Sequence, residues 1–188
     1  SKVKVYGYGG ALHSEQLLDK KIAEYFIKQE QYIKCKKSCS ACCEIGEYPF
    51  SRLEAEYIMH GFVKLPPSIQ AKIKQNIKNL VIRKKDNLSE RFLYKCPFLL
   101  DKMCALYQYR GITCRVFGLA YLYDNKVHLP ECVNSGLNYS KNYNPETKEV
   151  DIQNLIEDDL RIDSVLRSPF AQEYNLECGE IRPLINWF

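Results

Sequence analysis

Cys35-Lys36-Lys37-Ser38-Cys39-Ser40-Ala41-Cys42-Cys43 is the stretch whose reading decides the fold. Its four thiols follow the pattern C-x3-C-x2-C-C. Thiols packed this densely bind metal or form disulfides, and the rest of the chain must choose between them. Four more cysteines follow at wider intervals, Cys96, Cys104, Cys114 and Cys132. A ninth, Cys178, stands apart near the end.

Composition frames that choice. A length of 188 residues suggests one domain, and a hydrophobic content of 46% can bury a core without a metal as its sole staple. The net charge of +4 is too small to argue for nucleic acid. The basic clusters are short. Lys34, Lys36 and Lys37 flank the cysteines, while Arg83, Lys84 and Lys85 suit a helix C-terminus. No apolar run approaches the roughly 20 residues of a membrane span, and no secretory leader is visible. The expected compartment is therefore the cytoplasm. Thiols stay reduced there, which favours metal binding or catalysis over structural disulfides.

The flanking segments read mostly as helix. Val3 and Val5 lead into Tyr6-Gly7-Tyr8-Gly9-Gly10, which lacks the G-x-G-x-x-G spacing and reads as an arm or edge strand. Ser14 caps a helix running to about Ile33, with Leu18, Ile22, Phe26 and Ile33 on one face. That helix delivers the chain into Cys35. Ser51-Arg52-Leu53-Glu54 is a capping box opening a helix that stops at His60-Gly61. Pro66-Pro67-Ser68 opens another, with Ile69, Ile73, Ile77 and Leu80/Val81 as its apolar stripe and Asp86-Asn87 as its end. Residues 92–115 read as loop and short helical turns. Residues 121–129 read as a β-hairpin turning at Asp124-Asn125. A last amphipathic helix is expected over 150–167. Ile152, Leu155/Ile156, Leu160 and Leu166 would point inward, and Glu157, Asp158, Asp159 and Asp163 outward. The expected fold class is mainly α: one small domain over 1–188 with a minor β-hairpin. Residues 35–136 would form a cysteine-cluster metal-binding core between flanking helices.

A thiolate is the form that binds metal. Four thiolates around a divalent ion or a [4Fe–4S] core leave net negative charge, and Lys34, Lys36, Lys37, Arg110 and Arg115 are the cations placed to offset it. Cys39-x2-Cys42 is the common chelating loop. Adjacent side chains in an extended segment point to opposite sides, so Cys42-Cys43 would serve two centres or lend one ligand. The usual four-cysteine zinc site pairs two C-x2-C loops, and this chain has one. Iron–sulfur clusters accept less regular spacing and a ligand followed by proline, as in Cys96-Pro97. Phe98, Leu99 and Leu100 then supply an apolar wall that excludes water. The spacing favours an iron–sulfur cluster over Zn2+ without deciding between them. The candidate ligands are Cys35, Cys39, Cys42, Cys43, Cys96, Cys104, Cys114 and Cys132. Cys178 reads as a lone thiol, and His13, His60 and His128 as structural residues.

These residues carry a family resemblance. Cys35…Cys39-Ser40-Ala41-Cys42-Cys43 resembles the C-x2-C-x2-C-C signature of the zinc- or iron-chelating cysteine-cluster domain family. Cys96-Pro97-Phe98-Leu99, Cys104-Ala105-Leu106-Tyr107 and Arg110-Gly111-Ile112-Thr113-Cys114-Arg115-Val116-Phe117 resemble its later run, and Cys132 its final cysteine. The match covers roughly residues 35–136. Two departures stand out: the first spacing is x3 rather than x2, and Gly111 replaces a proline, which should loosen the turn before Cys114. The resemblance implies metal binding. Some members are flagellin lysine N-methylases, longer chains that look like iron–sulfur proteins transferring a methyl group from S-adenosylmethionine. This chain is similar to their cysteine domain and carries no separate methyl-donor motif.

Three functions follow. The first is a metal-binding protein holding [4Fe–4S] or Zn2+. The second is an enzyme using that centre, either an S-adenosylmethionine-dependent protein lysine methyltransferase-like catalyst or a redox one, with Tyr94, Tyr107, Tyr109 and Tyr121 around the site. The third is a storage or delivery module passing on soft metals. The expected partners are a metal ion or cluster and a protein substrate, with neither nucleic acid nor membrane.

Overall fold

Ser51 starts a helix because its side chain and backbone both find Glu54. The Ser51 hydroxyl accepts from the Glu54 N–H, and the Glu54 carboxylate accepts from the Ser51 N–H at 2.8 Å. This closed capping box belongs to a computed structural model describing residues 19–36, 39–152, 156–161, 164–165 and 178–188. In chain order its helices are α1 (19–28), α2 (Ala41–Glu44), α3 (Arg52–Phe62), α4 (Pro67–Lys85) and α5 (Ile112–Val116). Its strands are β1 (Pro49–Ser51), β2 (Leu99–Leu100), β3 (Met103–Cys104), β4 (Tyr121–Tyr123), β5 (Lys126–His128) and β6 (Ile181–Pro183). The strands form three antiparallel pairs, β1–β6, β2–β3 and β4–β5. Helix therefore dominates, with more strand pairing than the single expected hairpin. No helix among the described residues is long and apolar enough to cross a membrane.

The chain divides into two compact units. Unit 1 comprises 1–35 and 115–177, and unit 2 comprises 36–114 and 178–188.

Unit 2 is built on α3 and α4. Pro67 at the first turn of α4 supplies a fixed φ where no N–H is needed. The Ile73 and Leu80 side chains are buried, as their stripe predicts. Phe50, Ile58, Phe62, Ile73, Phe98 and Leu106 form the main core, against which Cys96, Cys104 and Cys114 pack. The last residues close the unit. Strand β6 pairs with β1, Trp187 Nε1 donates to Phe50 O at 3.1 Å, and the Ile185 N–H donates to Tyr94 Oη at 3.2 Å. This C-terminal closure is invisible in local sequence because its partners lie far away along the chain.

Unit 1 holds α1, the β4–β5 hairpin and the segment that follows. The hairpin turns where expected, at Asp124 (φ 51°) and Asn125 (φ 56°), the left-handed pair of a type I′ turn. A 3-10 turn, Glu30–Tyr32, continues from α1. Ser14, Leu18, His13 and the glycine-rich run lie outside the described residues.

The helix expected over 150–167 is a correction. Among the described residues of that segment only Ser164 and Val165 are helical, and 156–161 are irregular. Ile152, Ile156 and Leu160 are nonetheless buried. The Asp158 carbonyl is engaged by the Leu122 N–H at 2.9 Å, and the Asp159 carboxylate accepts from the Arg161 N–H at 3.1 Å and from the Ser164 hydroxyl at 2.6 Å. These local bonds to a short acidic side chain compete with helical ones. Leu155, Asp163 and Leu166 lie outside the described residues.

Candidate metal centre

Cysteines from three separate stretches meet in unit 2. Cys42 and Cys43 sit on α2, a single helical turn, not in extended chain. Their side chains therefore do not point to opposite sides, and Cys42 Sγ stands 3.7 Å from Cys43 Sγ. This overturns the premise that the pair must be divided between two faces.

Backbone bonds bring Cys96 to them. The Cys96 N–H donates to Cys43 O at 2.8 Å, and Gly46 and Tyr94 exchange both backbone hydrogen bonds at 3.0 and 3.2 Å. The Leu99 N–H then donates to Cys96 O at 3.1 Å, turning the chain after Pro97 into β2. Strand β3 pairs Cys104 with Leu99 through a tight turn at Asp101 (φ 49°) and Lys102 (φ 62°). Lysine in the left-handed region is why this hairpin was unreadable from sequence.

Cys114 is placed by Glu54. This carboxylate, 7% exposed, closes the capping box of α3 and also accepts from the Ile112 N–H at 2.6 Å, which starts α5. Gly111 permits that approach. A Cβ there would stand 2.6 Å from the Phe50 ring and 2.9 Å from Glu54 Oε1. The turn expected to be loose is instead closely packed.

The electrostatics follow from crowding. The Cys42 thiol is raised well above its ordinary range, first by hydrogen-bonding to Cys43 and then by burial. For Cys43 the bond from Cys42 pulls down, but contact with Cys96, burial and the nearby Cys96 and Cys104 push it up to about 12. Cys104 is raised by burial, and Cys114 by burial and then by Cys43, Cys104 and Cys42. Arg110 works the other way, easing ionisation of Cys42 and Cys104. Its guanidinium lies 3.6 Å over the Tyr107 ring, and its Nε donates to Tyr107 O. Arg110 is thus the expected cation that acts on these thiols, while Arg115 belongs to unit 1 and pairs with Asp19 at 2.5 Å.

A soft cation suits such a donor set by its chemistry. Each thiolate destabilises its neighbours, and a metal removes that penalty. The thiols are packed as hydrogen-bonded neighbours: among the described residues, no three His, Cys, Asp or Glu side chains already stand as a coordination shell.

The other candidates have settings of their own. Cys39 is exposed in unit 2, its N–H donating to Lys36 O at 2.9 Å. Cys35 and Cys132 belong to unit 1, near Tyr139, whose hydroxyl both help to raise after burial. There the fully buried Asn138 donates from Nδ2 to Gly118 O at 2.7 Å and to Cys35 Sγ at 3.2 Å, and accepts from the Lys34 N–H at 2.7 Å. Gly118, at φ +100°, leaves room for Asn138 Nδ2 and Cys35 Sγ. Cys178, in unit 2, is raised by burial and by Glu54.

The tyrosines expected around the site serve mainly in packing. Tyr94 accepts from Ile185, Tyr107 supports Arg110, Tyr109 tilts against Tyr57, and Tyr121 stacks on His128 in unit 1. Tyr48 is the residue sequence reasoning missed. It is half-buried, and its hydroxyl is raised by burial and then by Cys42, Cys114, Cys43 and Cys96. No periodicity or motif marks it. No protein-family model, curated protein or solved structure matches the chain.

Proposed function

We propose that unit 2 binds a soft metal centre through thiolates drawn from Cys42, Cys43, Cys96, Cys104 and Cys114, with Cys39 in reach of the same stretch of chain. The observation that carries this reading is the meeting of five thiols from three separate stretches, where burial and neighbouring thiols together raise Cys42, Cys43 and Cys114. The reading brings with it a reducing, cytoplasmic setting that keeps these thiols available.

An iron–sulfur cluster is the first form. The irregular spacing, Cys96-Pro97 and the buried Pro97 and Phe98 support it, because apolar surroundings exclude water from such a group. Zn2+ is the second form, favoured by one distance. At bonds of about 2.3 Å a tetrahedral zinc site sets its sulfurs about 3.8 Å apart. Cys42 and Cys43 Sγ are 3.7 Å apart. When bound, the group would supply either electron transfer or a structural tie. The protein's share is to hold the thiols, lend the Arg110 charge and keep water from the apolar side.

Metal and acid-labile sulfide measured on anaerobically isolated protein test the proposal. Iron with sulfide identifies the cluster, and zinc alone identifies the second form. Neither metal after anaerobic reconstitution would overturn both. Methyl transfer from S-adenosylmethionine to a lysine-bearing protein is the separate assay for an enzymatic role.

A further inference from the structure

Helix α4 carries six cations, Lys72, Lys74, Lys78, Arg83, Lys84 and Lys85, and no Asp or Glu. That exceeds the +4 of the whole chain. Part of it has ordinary causes. Cations in the last turn suit the negative end of a helix. Lys84 reaches the Asn186 side chain, and Lys74 lies 5.9 Å over the Phe62 ring.

Lys72 and Arg83 have a different setting. Together with Lys95 they line a cavity of about 440 Å3 within unit 2. Small-molecule sites occupy roughly 300–1,000 Å3. One wall is a single face of α4, with Lys72, Asn76, Asn79 and Arg83 at helical spacing. The other wall is the chain from Lys95 to Asp101. Asn76 Nδ2 donates to Pro97 O at 3.1 Å and ties the walls together, so the cavity exists before any ligand arrives. Asn79 accepts from Gln75 through Oδ1 at 2.9 Å, which leaves its NH2 as a donor. Arg83 is held 5.7 Å over the Phe92 ring. Lys95 pairs with Glu44 at 3.3 Å, but with side chains 58% and 42% exposed this is a weak surface pair that a ligand can displace. Buried Leu80, Pro97 and Leu99 supply an apolar floor. Among the described lining residues Asp101 is the one acid, against three cations.

We propose that this cavity binds a small organic phosphate. The surplus of cations over acid in the lining suits a phosphate monoester, a guanidinium and ammonium groups are its usual donors, and the apolar floor takes the organic part. The concave wall, bounded at Asp101, favours a small molecule over a polyanion lying along the helix. The donors proposed here are not thiols, so the inference does not need a bound metal, although Cys96 of the metal reading also lines the cavity.

Calorimetric titration of the full chain with adenosine 5′-monophosphate, adenosine, citrate and inorganic phosphate tests it, at one fixed salt concentration. The monophosphate should bind saturably, phosphate at least about tenfold more weakly, and adenosine not at all. Arg83→Ala and Lys72→Ala should each weaken binding by about tenfold or more, the loss of a charge-assisted hydrogen bond. Asp101→Asn should tighten it, since asparagine tolerates the φ of 49° there. Lys78→Ala, on the same helix but outside the cavity, should change nothing. Circular dichroism checks that each variant folds. Absence of saturable monophosphate binding would overturn the proposal. So would an equal loss at Lys78→Ala, citrate binding as tightly as the monophosphate, or a single-stranded oligonucleotide binding more tightly.

Discussion

Cys42 of unit 2 hydrogen-bonds a second thiol 3.7 Å away, whereas Cys35 of unit 1 has the amide of buried Asn138 at 3.2 Å. A thiol beside thiols is held protonated by its hydrogen bond, by burial and then by its neighbours' charge, and a bound cation would offset the last two. A thiol beside an amide donor belongs to a hydrogen-bond network of amides and hydroxyls: Asn138 bonds Lys34 N–H and Gly118 O, and Tyr139 bonds Ala120 N–H and Gln29. Cysteines of one ordered pattern thus occupy different chemical settings.

The sharpest way to break this contrast is to remove thiols one at a time. Cys43→Ser and Cys96→Ser should abolish metal retention, while Cys132→Ser leaves the metal content per chain unchanged. Elemental analysis of the purified variants reads the result. Equal loss from Cys132→Ser would erase the division between the settings.

Glu54→Ala is the next largest effect. It removes the acceptor of Ser51 N–H, Ser51 Oγ–H and Ile112 N–H at a residue 7% exposed. Loss of a cap together with an orphaned buried N–H should cost about 3 kcal/mol. Denaturant unfolding measures it, and the metal content of the folded fraction should fall as α5 loses its anchor.

In unit 1, Gly118→Ala forces a Cβ to within 2.9 Å of Asn138 Nδ2 and 3.2 Å of Cys35 Sγ at φ +100°. About 2 kcal/mol of destabilisation is expected. Metal content should not respond, and a response would tie Cys35 to the centre.

The smallest effects are in pH, and they run in opposite directions. Cys43 is raised from 9.0 to about 12, so the stability it contributes without metal is full below pH 9 and lost as pH climbs toward 12. Metal affinity should increase with pH over the same range, because binding displaces those protons. Asp159 of unit 1 is lowered from 3.8 to about 2, chiefly by its bond to Arg161. Its contribution is present above pH 3.8 and lost as pH falls through 2. Unfolding curves of metal-free protein at both extremes check the pair. A Cys43→Ser variant that keeps the alkaline loss would remove Cys43 as its cause.

What sequence could announce depended on how local the signal was. The capping box at Ser51, the α4 stripe and the Asp124-Asn125 turn each involve residues within a few positions, and each formed. The 150–167 segment shows the limit. Its apolar spacing correctly placed Ile152, Ile156 and Leu160 inside, yet Asp158 and Asp159 found partners that a helix would forbid. The cysteines could be counted but not sorted. Their grouping follows from the Cys43–Cys96 backbone bond and from a hairpin turning at Lys102, neither of which leaves a motif. Glu54 was legible as a cap and illegible as the anchor of a helix nearly sixty residues downstream.

The pairing of β6 with β1 has a consequence for synthesis. A chain emerging from the ribosome presents every cysteine of the thiol group long before residues 178–188 exist. Until they arrive, β1 has an unpaired edge and Phe50 lacks Trp187. The thiol-bearing stretches of unit 2 are therefore synthesised before the strand and the tryptophan that cover β1 and Phe50.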